Sequence, residues 1–237
     1  MIRRVAIGVM GAAILCAASA YADEADCISA RYSAAGKYAG CEAKVAAKGF
    51  AFDDLFLKCR QKYAGEWTKL ARKYPGTSCE GARFVDNGDE TITDNLTQLV
   101  WEKKTTAVGS GVNASDRHDV DNLYTWSSTL GSASADGATF TDFLDDLNST
   151  GFAGQHDWRL PTIFELQSIV ATDALPCGNA PCVADPLFLP TASTWYWSSS
   201  TDQSLSNWAR NVNFASGRTD GFSKRSSPAV RAVRAGH

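Results

Sequence analysis

Residue types that bind zinc are few in this chain and poorly spaced for the purpose. There are three histidines, and none of the seven cysteines belongs to a Cys-x-x-Cys pair, the usual half of a structural zinc site. The Gly-x-Ser-x-Gly turn of many serine hydrolases is also missing. After residue 18 no segment holds the ~20 apolar residues that a membrane-spanning helix needs. The composition therefore disfavours a zinc domain, a hydrolase of that type and a transmembrane segment in the mature chain.

A cleavable secretory signal is predicted at the amino terminus. Arg3 and Arg4 precede an apolar run from Val5 to Ala18, and residues 20–22 (Ala-Tyr-Ala) form a small-x-small cleavage site. We expect residues 1–22 to be removed and the mature chain to begin at Asp23. The protein is then expected in the periplasm or outside the cell.

Six cysteines remain in the mature chain, and their even number in an exported protein predicts three disulfides. Two are expected within residues 23–80, an antiparallel helical hairpin with nested pairings, and one closes a short loop nearer the carboxyl terminus. The predicted pairs are Cys41–Cys59, Cys27–Cys79 and Cys177–Cys182.

The hairpin prediction follows from composition, because residues 24–80 are rich in Ala, Lys, Glu and Leu. One helix is expected from about Asp26 to Lys48, with Gly49 ending it. A second is expected from near Asp53 to a stop before residues 75–76 (Pro-Gly). The hairpin is either a docking or spacer element or a stabilising cap on the domain that follows.

Charge is distributed unevenly along the chain. Residues 81–200 carry 5 basic and 16 acidic side chains, a net charge of −11, whereas residues 201–237 carry 6 basic and 2 acidic ones. So acidic a surface disfavours nucleic acid as a partner.

Residues 81–237 predict a second domain of short strands, two helices and long loops. Asn87-Gly88 is typical of a type I′ hairpin turn. One helix is expected over Phe140–Asn148, with Phe140, Phe143, Leu144 and Leu147 on one face. Another is expected over Ile163–Ala171, where Thr162 and Glu165 form a capping box. Strands are expected at Arg83–Val85, Thr91–Thr93, Leu96–Glu102, Trp195–Ser199, Ala209–Phe214 and Ala229–Val233.

Five motifs in this domain resemble, in the same order, the Lcl C-terminal domain family. They are RFVDNGDETITDNLTQLVWEKK (83–104), GFAGQHDWRLPTIFELQSIV (151–170), WYWSSS (195–200), NWARNVNFASG (207–217) and VRAVR (230–234). The resemblance covers residues 83–234 and implies a compact α+β domain with a C-type lectin-like fold. It also implies surface recognition, since the founding member of the family is an adhesin that binds sulfated glycans.

One family property is not carried over to this chain. Sulfate groups are held by Arg or Lys through charge-assisted contacts, and residues 81–200 are strongly acidic. A basic patch is available only from Arg210, Arg218, Lys224 and Arg225. We therefore expect a glycan or a surface protein as partner, without assigning sulfated glycans; the oligomeric state stays open.

The candidate ligand-binding residues lie on or beside two loops, Thr201–Asn207 and Ala215–Ser227. Trp126 and Trp195 border loops and are candidates for an exposed aromatic platform, whereas Trp101, Trp158, Trp197 and Trp208 are expected in the core. The predicted site consists of Trp195, Asp202, Asn207, Arg210, Asn213, Arg218 and Lys224.

Two other functions are weighed against recognition. The stretch from Trp158 to Leu166 resembles formylglycine-generating, sulfatase-modifying enzymes, but their copper site needs a cysteine pair that Tyr196–Arg234 lacks. A structural role in the cell envelope is the third alternative. We predict no enzyme activity and no cofactor.

Two further expectations concern charged side chains. Asp86–Glu90 misses the EF-hand spacing, and the aspartates at 116, 119 and 121 are a weak calcium candidate. Arg159 and Arg231 are expected in partly buried ion pairs, with Asp157 or Glu165 as partner of Arg159.

Overall fold

The structure is a computed structural model that describes residues 24–34, 36–38, 40–41, 44, 52–77, 82–171 and 180–236. The predicted signal peptide, residues 1–22, lies outside these ranges. So do Gly49, Cys79 and Cys177.

The amino-terminal part of the described chain is helical. Residues 24–34, 36–38, 40–41 and 44 belong to a first helix, α1, and α2 spans Phe52–Lys73. Helix α2 ends before Pro75, as predicted, and Gly76 has a positive φ of 74°, which suits glycine. No helix within the described ranges is long and apolar enough to cross a membrane.

The predicted disulfide Cys41–Cys59 is present and links α1 to α2, with 5.9 Å between the Cα atoms. Cys27 and Cys182 are also disulfide-bonded, although both of their predicted partners lie outside the described residues. Also in α1, Arg31 Nη2 donates to the carbonyl and the side-chain oxygen of Asn95 at 3.0 and 2.9 Å. The first helix therefore contacts a turn of the domain that follows.

The first sheet is antiparallel, in the order β1-β2-β3-β7. Its strands are β1 Phe84–Asp86, β2 Thr91–Asp94, β3 Leu99–Glu102 and β7 Val233–Ala235. Strand β3 is shorter than predicted, because residues 95–98 form a turn with Gln98 at a positive φ of 60°. The last strand begins where the predicted one, Ala229–Val233, was expected to end; Ala229 itself makes an isolated bridge to Tyr196.

The hairpin predicted around Asn87-Gly88 is present, but the prediction that its turn is of type I′ is wrong. Asp86 pairs with Ile92, so the loop is longer, and the positive φ values fall on Gly88 and Glu90 rather than on Asn87. Side-chain oxygens of Asp86 and Asp89 accept hydrogen bonds from the N–H groups of Gly88 and Thr91. Such local bonds offer the backbone an alternative to the tight hairpin.

The second sheet is also antiparallel and has the order β4-β5-β6. It consists of β4 Trp195–Thr201, β5 Trp208–Asn213 and β6 Thr219–Ser223. Strand β6 falls within Ala215–Ser227, which was predicted to be a loop. The second of the two candidate binding loops is therefore partly a strand.

The predicted helices are present with altered ends. A π-helical turn at Thr139–Leu144 leads into α3, Asp145–Thr150, and of the predicted apolar face only Phe140 stays partly exposed. Helix α4 spans Ile163–Ser168 and carries the predicted capping box of Thr162 and Glu165. Short 3-10 turns occupy Phe152–Gly154 and Pro186–Phe188.

Two apolar clusters form the core, and the second sheet contributes to both. Tyr196 and Val212 belong to the first cluster, with Trp101, while Trp197 and Ala209 belong to the second. Neighbouring residues of β4 alternate in this way because successive side chains of a strand point to opposite faces. The domain is thus an α+β structure with two antiparallel sheets and a few short helices.

Sequence reasoning placed four tryptophans in the core and two, Trp126 and Trp195, at the surface, and Trp195 is half-exposed. Trp101, Trp158 and Trp197 are buried as expected. Trp208, expected in the core, is half-exposed. Trp126, expected on the surface, is buried against Phe140 and Trp197.

Candidate functional site

An open pocket lies where β4, β6 and the segment after β6 meet, at the rim of the second apolar cluster. The rings of Trp195 and Phe222 line it, with 4.8 Å between their centroids and an angle of 61°. Its volume is 320 Å³, at the lower end of the range typical of small-ligand sites. The remaining lining residues are Thr194, Ser226, Ser227 and Pro228.

The register of the second sheet places the two aromatic residues on the same face. Trp195 pairs with Asn213, and Phe222 pairs with Ala209. Asn213 and Ala209 are four residues apart on β5, so all four side chains lie on the same face of the sheet. Trp195 and Phe222 are each half-exposed, as expected at the edge of a core.

The wall formed by residues 226–228 is held at both ends by backbone hydrogen bonds. The N–H of Ser226 donates to the carbonyl of Ser223 at 2.8 Å. At the other end, the carbonyl of Pro228 accepts from Tyr124 at 3.0 Å, and the N–H of Ala229 donates to Trp195 at 2.9 Å. The pocket is thus bounded by hydrogen-bonded backbone on the side away from β6.

The lining combines aromatic surface with hydroxyl groups. Within the described part of the chain, the side chains of Thr194, Ser226 and Ser227 make no hydrogen bond, so their hydroxyls are available to a ligand. A hydroxyl both donates and accepts. A ligand with one apolar face and several hydroxyl groups would match this surface.

Of the seven residues predicted to bind ligand, only Trp195 lines the pocket. Arg210 pairs with Gly221 in the sheet and therefore lies on the opposite face from Trp195. There its Nη1 is 3.5 Å from Oδ2 of Asp202, whose other oxygen accepts from the N–H groups of Ser204 and Leu205. The predicted set is thus divided between the two faces of the second sheet.

Lys224 is buried, which does not fit its predicted role as an exposed ligand-binding residue. Its Nζ donates to the carbonyl of Ala133 at 3.2 Å and to Oγ1 of Thr201 at 3.0 Å, and it lies 4.9 Å from the centre of the Trp126 ring. Burial lowers the pKa of Lys224. The buried side chain of Lys224 therefore links the loop that contains Ala133 to strand β4.

The remaining predicted residues, Asn207, Asn213 and Arg218, do not line the pocket either. Asn213 holds the β5–β6 turn, since its side-chain oxygen accepts from the N–H of Ala215 and its carbonyl from that of Gly217, both at 2.7 Å. The carbonyl of Asn207 accepts from the backbone of Lys224. Arg218 is exposed in the same turn.

Sequence reasoning missed most of the pocket. Phe222, Ser226 and Ser227 fall inside the predicted loop Ala215–Ser227, but only its charged residues were selected. The alternation of Asp220, Gly221 and Phe222 is a weak strand signal that could have placed Phe222 on the face of the sheet.

The aspartates considered for calcium are used in folding the loop between β3 and α3. Asp116, Asp119 and Asp121 each accept hydrogen bonds from backbone N–H groups, at 2.8 to 3.2 Å. Among the described residues, no group of three or more His, Cys, Asp or Glu is placed to hold a metal ion.

A fully buried carboxylate joins the first sheet to that loop. Oε1 of Glu102 lies 2.8 Å from both Lys104 Nζ and His118 Nδ1, while Oε2 accepts from the N–H of Ala232 at 2.8 Å. Burial would raise the pKa of Glu102, but Lys104 and His118 hold it below its usual value. Burial would likewise lower the pKa of His118, yet its bond to Glu102 raises it.

Two arginines were predicted to form ion pairs, and one does. Arg159 pairs with Glu165 at 2.7 Å. Asp157, the alternative partner, instead pairs with Arg234 at 2.6 Å. Arg231 is fully buried and donates to oxygens that carry no charge, which satisfies the fork of the guanidinium without a carboxylate. Its acceptors are the carbonyls of Glu102, Phe188 and Pro190 and the hydroxyl of Thr191.

Comparison with known proteins identifies the domain that holds these features. A family model described as the Lcl C-terminal domain matches residues 90–234, a span that contains the pocket and the buried network around Glu102. Neither a curated protein nor a solved structure matches the chain.

Proposed function

The chain belongs to the Lcl C-terminal domain family, and from that premise we propose that it is an exported, non-catalytic recognition module that binds a glycan. The pocket lined by Trp195 and Phe222 is the proposed binding site. The observation that carries the proposal is the pairing of exposed aromatic surface with available hydroxyl groups in one concave site. Aromatic side chains supply contact area for an apolar ring face, while polar groups fix its orientation.

The architecture of the domain also supports the proposed recognition function. We propose that the two sheets and their long loops form a C-type lectin-like domain, in which a rigid core carries binding loops. The disulfide Cys41–Cys59 favours the periplasm or the cell exterior, where such bonds persist. The bond from Arg31 to Asn95 supports a role for the hairpin as a cap on this domain.

A glycan array tests the proposal with the mature, oxidised protein, in calcium and in chelator. We expect selective binding to a small group of glycans in both conditions, because the pocket contains no carboxylate ligand set. Trp195→Ala should abolish binding, since it removes the largest surface of the site. Its free energy of unfolding should change little, by about 1 kcal/mol, because the side chain is half-exposed.

Trp208→Ala provides the matched control. Trp208 is also half-exposed but lies on the opposite face of the sheet, as its pairing with Ser223 requires. This variant should bind like the parent protein. A blank array for the parent protein in both conditions, or equal loss of binding in both variants, would overturn the proposal.

A further inference from the structure

We propose that the pocket of Trp195 and Phe222 selects an uncharged sugar residue and discriminates against sulfated or otherwise anionic glycans. This inference rests on the proposed function and names the ligand class of the same site.

The first support is the lining itself. Its six residues are two aromatics, a proline and three hydroxyl residues, none of them charged. Recognition of a sulfate or carboxylate normally requires Arg or Lys within hydrogen-bond distance, because desolvating the anion is costly without a charged partner. Hydroxyl groups without such a partner suit the hydroxyls of a neutral sugar.

Two cations of the candidate basic patch are turned away from the pocket. Lys224 is buried and donates to Ala133 and Thr201. Arg210 is on the other face of the sheet, next to Asp202. Lys224 and Arg210 are close to the pocket residues in the sequence, but in the structure their side chains contact other groups.

Arg218 and Arg225 are the remaining cations of the patch, and both are exposed without lining the pocket. The carbonyl of Arg218 accepts from the N–H of Asn213, which pairs with Trp195 on the other side, so Arg218 lies on the same face of the sheet as Trp195. Arg225 adjoins Ser226, and its N–H donates to the hydroxyl of Ser223 at 3.3 Å. The inference must be tested against both residues, because their long side chains could reach a ligand that extends from the pocket.

An exposed acidic group on the same face of the sheet adds a repulsive element. Asp220 pairs with Asn211 and Phe222 pairs with Ala209, so the carboxylate of Asp220 is exposed on the same face of the sheet as the Phe222 ring. Residues 81–237, which form the domain, carry a net charge of −7. Such a field lowers the local concentration of anionic ligands.

The experiment compares matched glycan pairs on one array: N-acetyllactosamine, chitotriose and mannotriose, each with its sulfated counterpart. We expect at least one neutral member to bind at least about tenfold more tightly than its sulfated form, given the cost of placing like charges together. Binding should also be nearly independent of salt, since no ion pair is made.

Four variants separate the possible outcomes. Trp195→Ala should remove binding, Arg218→Ala and Arg225→Ala should each leave it unchanged, and Ser227→Arg, which places a cation in the wall, should shift preference towards the sulfated members. Stronger binding of sulfated glycans by the parent protein, lost in Arg218→Ala or Arg225→Ala and weakened by salt, would overturn the inference but leave glycan recognition standing. Binding to none of the pairs, neutral or sulfated, would instead count against glycan recognition itself.

Discussion

The buried network around Glu102 and the pocket of Trp195 use polar groups in opposite ways. The network encloses charged groups that are satisfied by one another: Glu102, Lys104 and His118. The pocket exposes neutral hydroxyls that make no bond within the described residues. The charged groups of this network are therefore used inside the domain, whereas the residues that line the pocket are uncharged, which is the reverse of what counting charged loop residues suggests.

The largest expected effect is that of Glu102→Gln on stability. The substitution keeps the shape of the side chain but leaves Lys104 buried without its counter-charge, so the free energy of unfolding should fall by about 3–5 kcal/mol. Urea unfolding followed by tryptophan fluorescence measures the change.

Asp86→Asn is the control for that comparison. It removes the partner of Lys103 in an exposed ion pair one position along the chain from Lys104, and the unfolding midpoint should barely move. If the two substitutions destabilise the protein equally, the interior charges are not what holds the loop to the sheet.

A somewhat smaller loss in the free energy of unfolding is expected for Arg231→Met. Methionine fills the space but donates no hydrogen bond, so the carbonyls of Glu102 and Pro190 lose this donor. The carbonyl of Phe188 keeps the hydroxyl of Thr191 as its donor. The expected loss is about 3 kcal/mol, read from thermal and urea unfolding. Arg218→Met, at an exposed position, should leave stability as it was; a similar melting temperature for both variants would contradict the structural role of Arg231.

The smallest effect is a dependence of stability on pH through His118. Burial alone would lower the pKa of His118, but the bond to Glu102 raises this pKa above its usual value. Its contribution is then fully present below the unfolded-state pKa of about 6.5 and is lost as pH rises through the folded-state pKa. Urea unfolding from about pH 5.5 to about pH 8.5 covers this window.

His118→Gln sharpens this measurement, because an amide can still donate to Glu102 but does not titrate in that range. The stability advantage of the parent protein over the variant should shrink as pH rises. An advantage that is constant across the range would show that His118 does not gain a proton-dependent partner in the folded state.

Features encoded by neighbouring residues could be predicted from the sequence. The capping box of Thr162 and Glu165 depends on two N–H groups only three residues apart, and the end of α2 depends on the adjacent Pro75. The pairing Cys41–Cys59 followed from helical geometry on either side of one turn. In each case the determining contact is local or nearly so.

Features that depend on contacts between distant residues could not be predicted from the sequence. Lys224 reads as an exposed cation in a polar loop, but its acceptors are 91 and 23 residues away. Trp126 is covered by Trp197, from another part of the chain. Strand β6 contains Asp220 and Gly221, which have low strand propensity, and exists because β5 offers it a partner. The pocket was missed for the same reason, since it forms only when three separate segments meet.

The tethering of the pocket wall has a consequence for the energetics of binding. Because backbone bonds fix residues 226 and 229, the unliganded protein already holds the wall in position. A ligand would then meet a preorganised surface and would not bear the entropic cost of ordering a loop. Association should be limited by encounter and orientation, with little conformational change in the protein. Even a shallow, neutral site can in this way hold a ligand, because little of its contact energy is used to shape the protein.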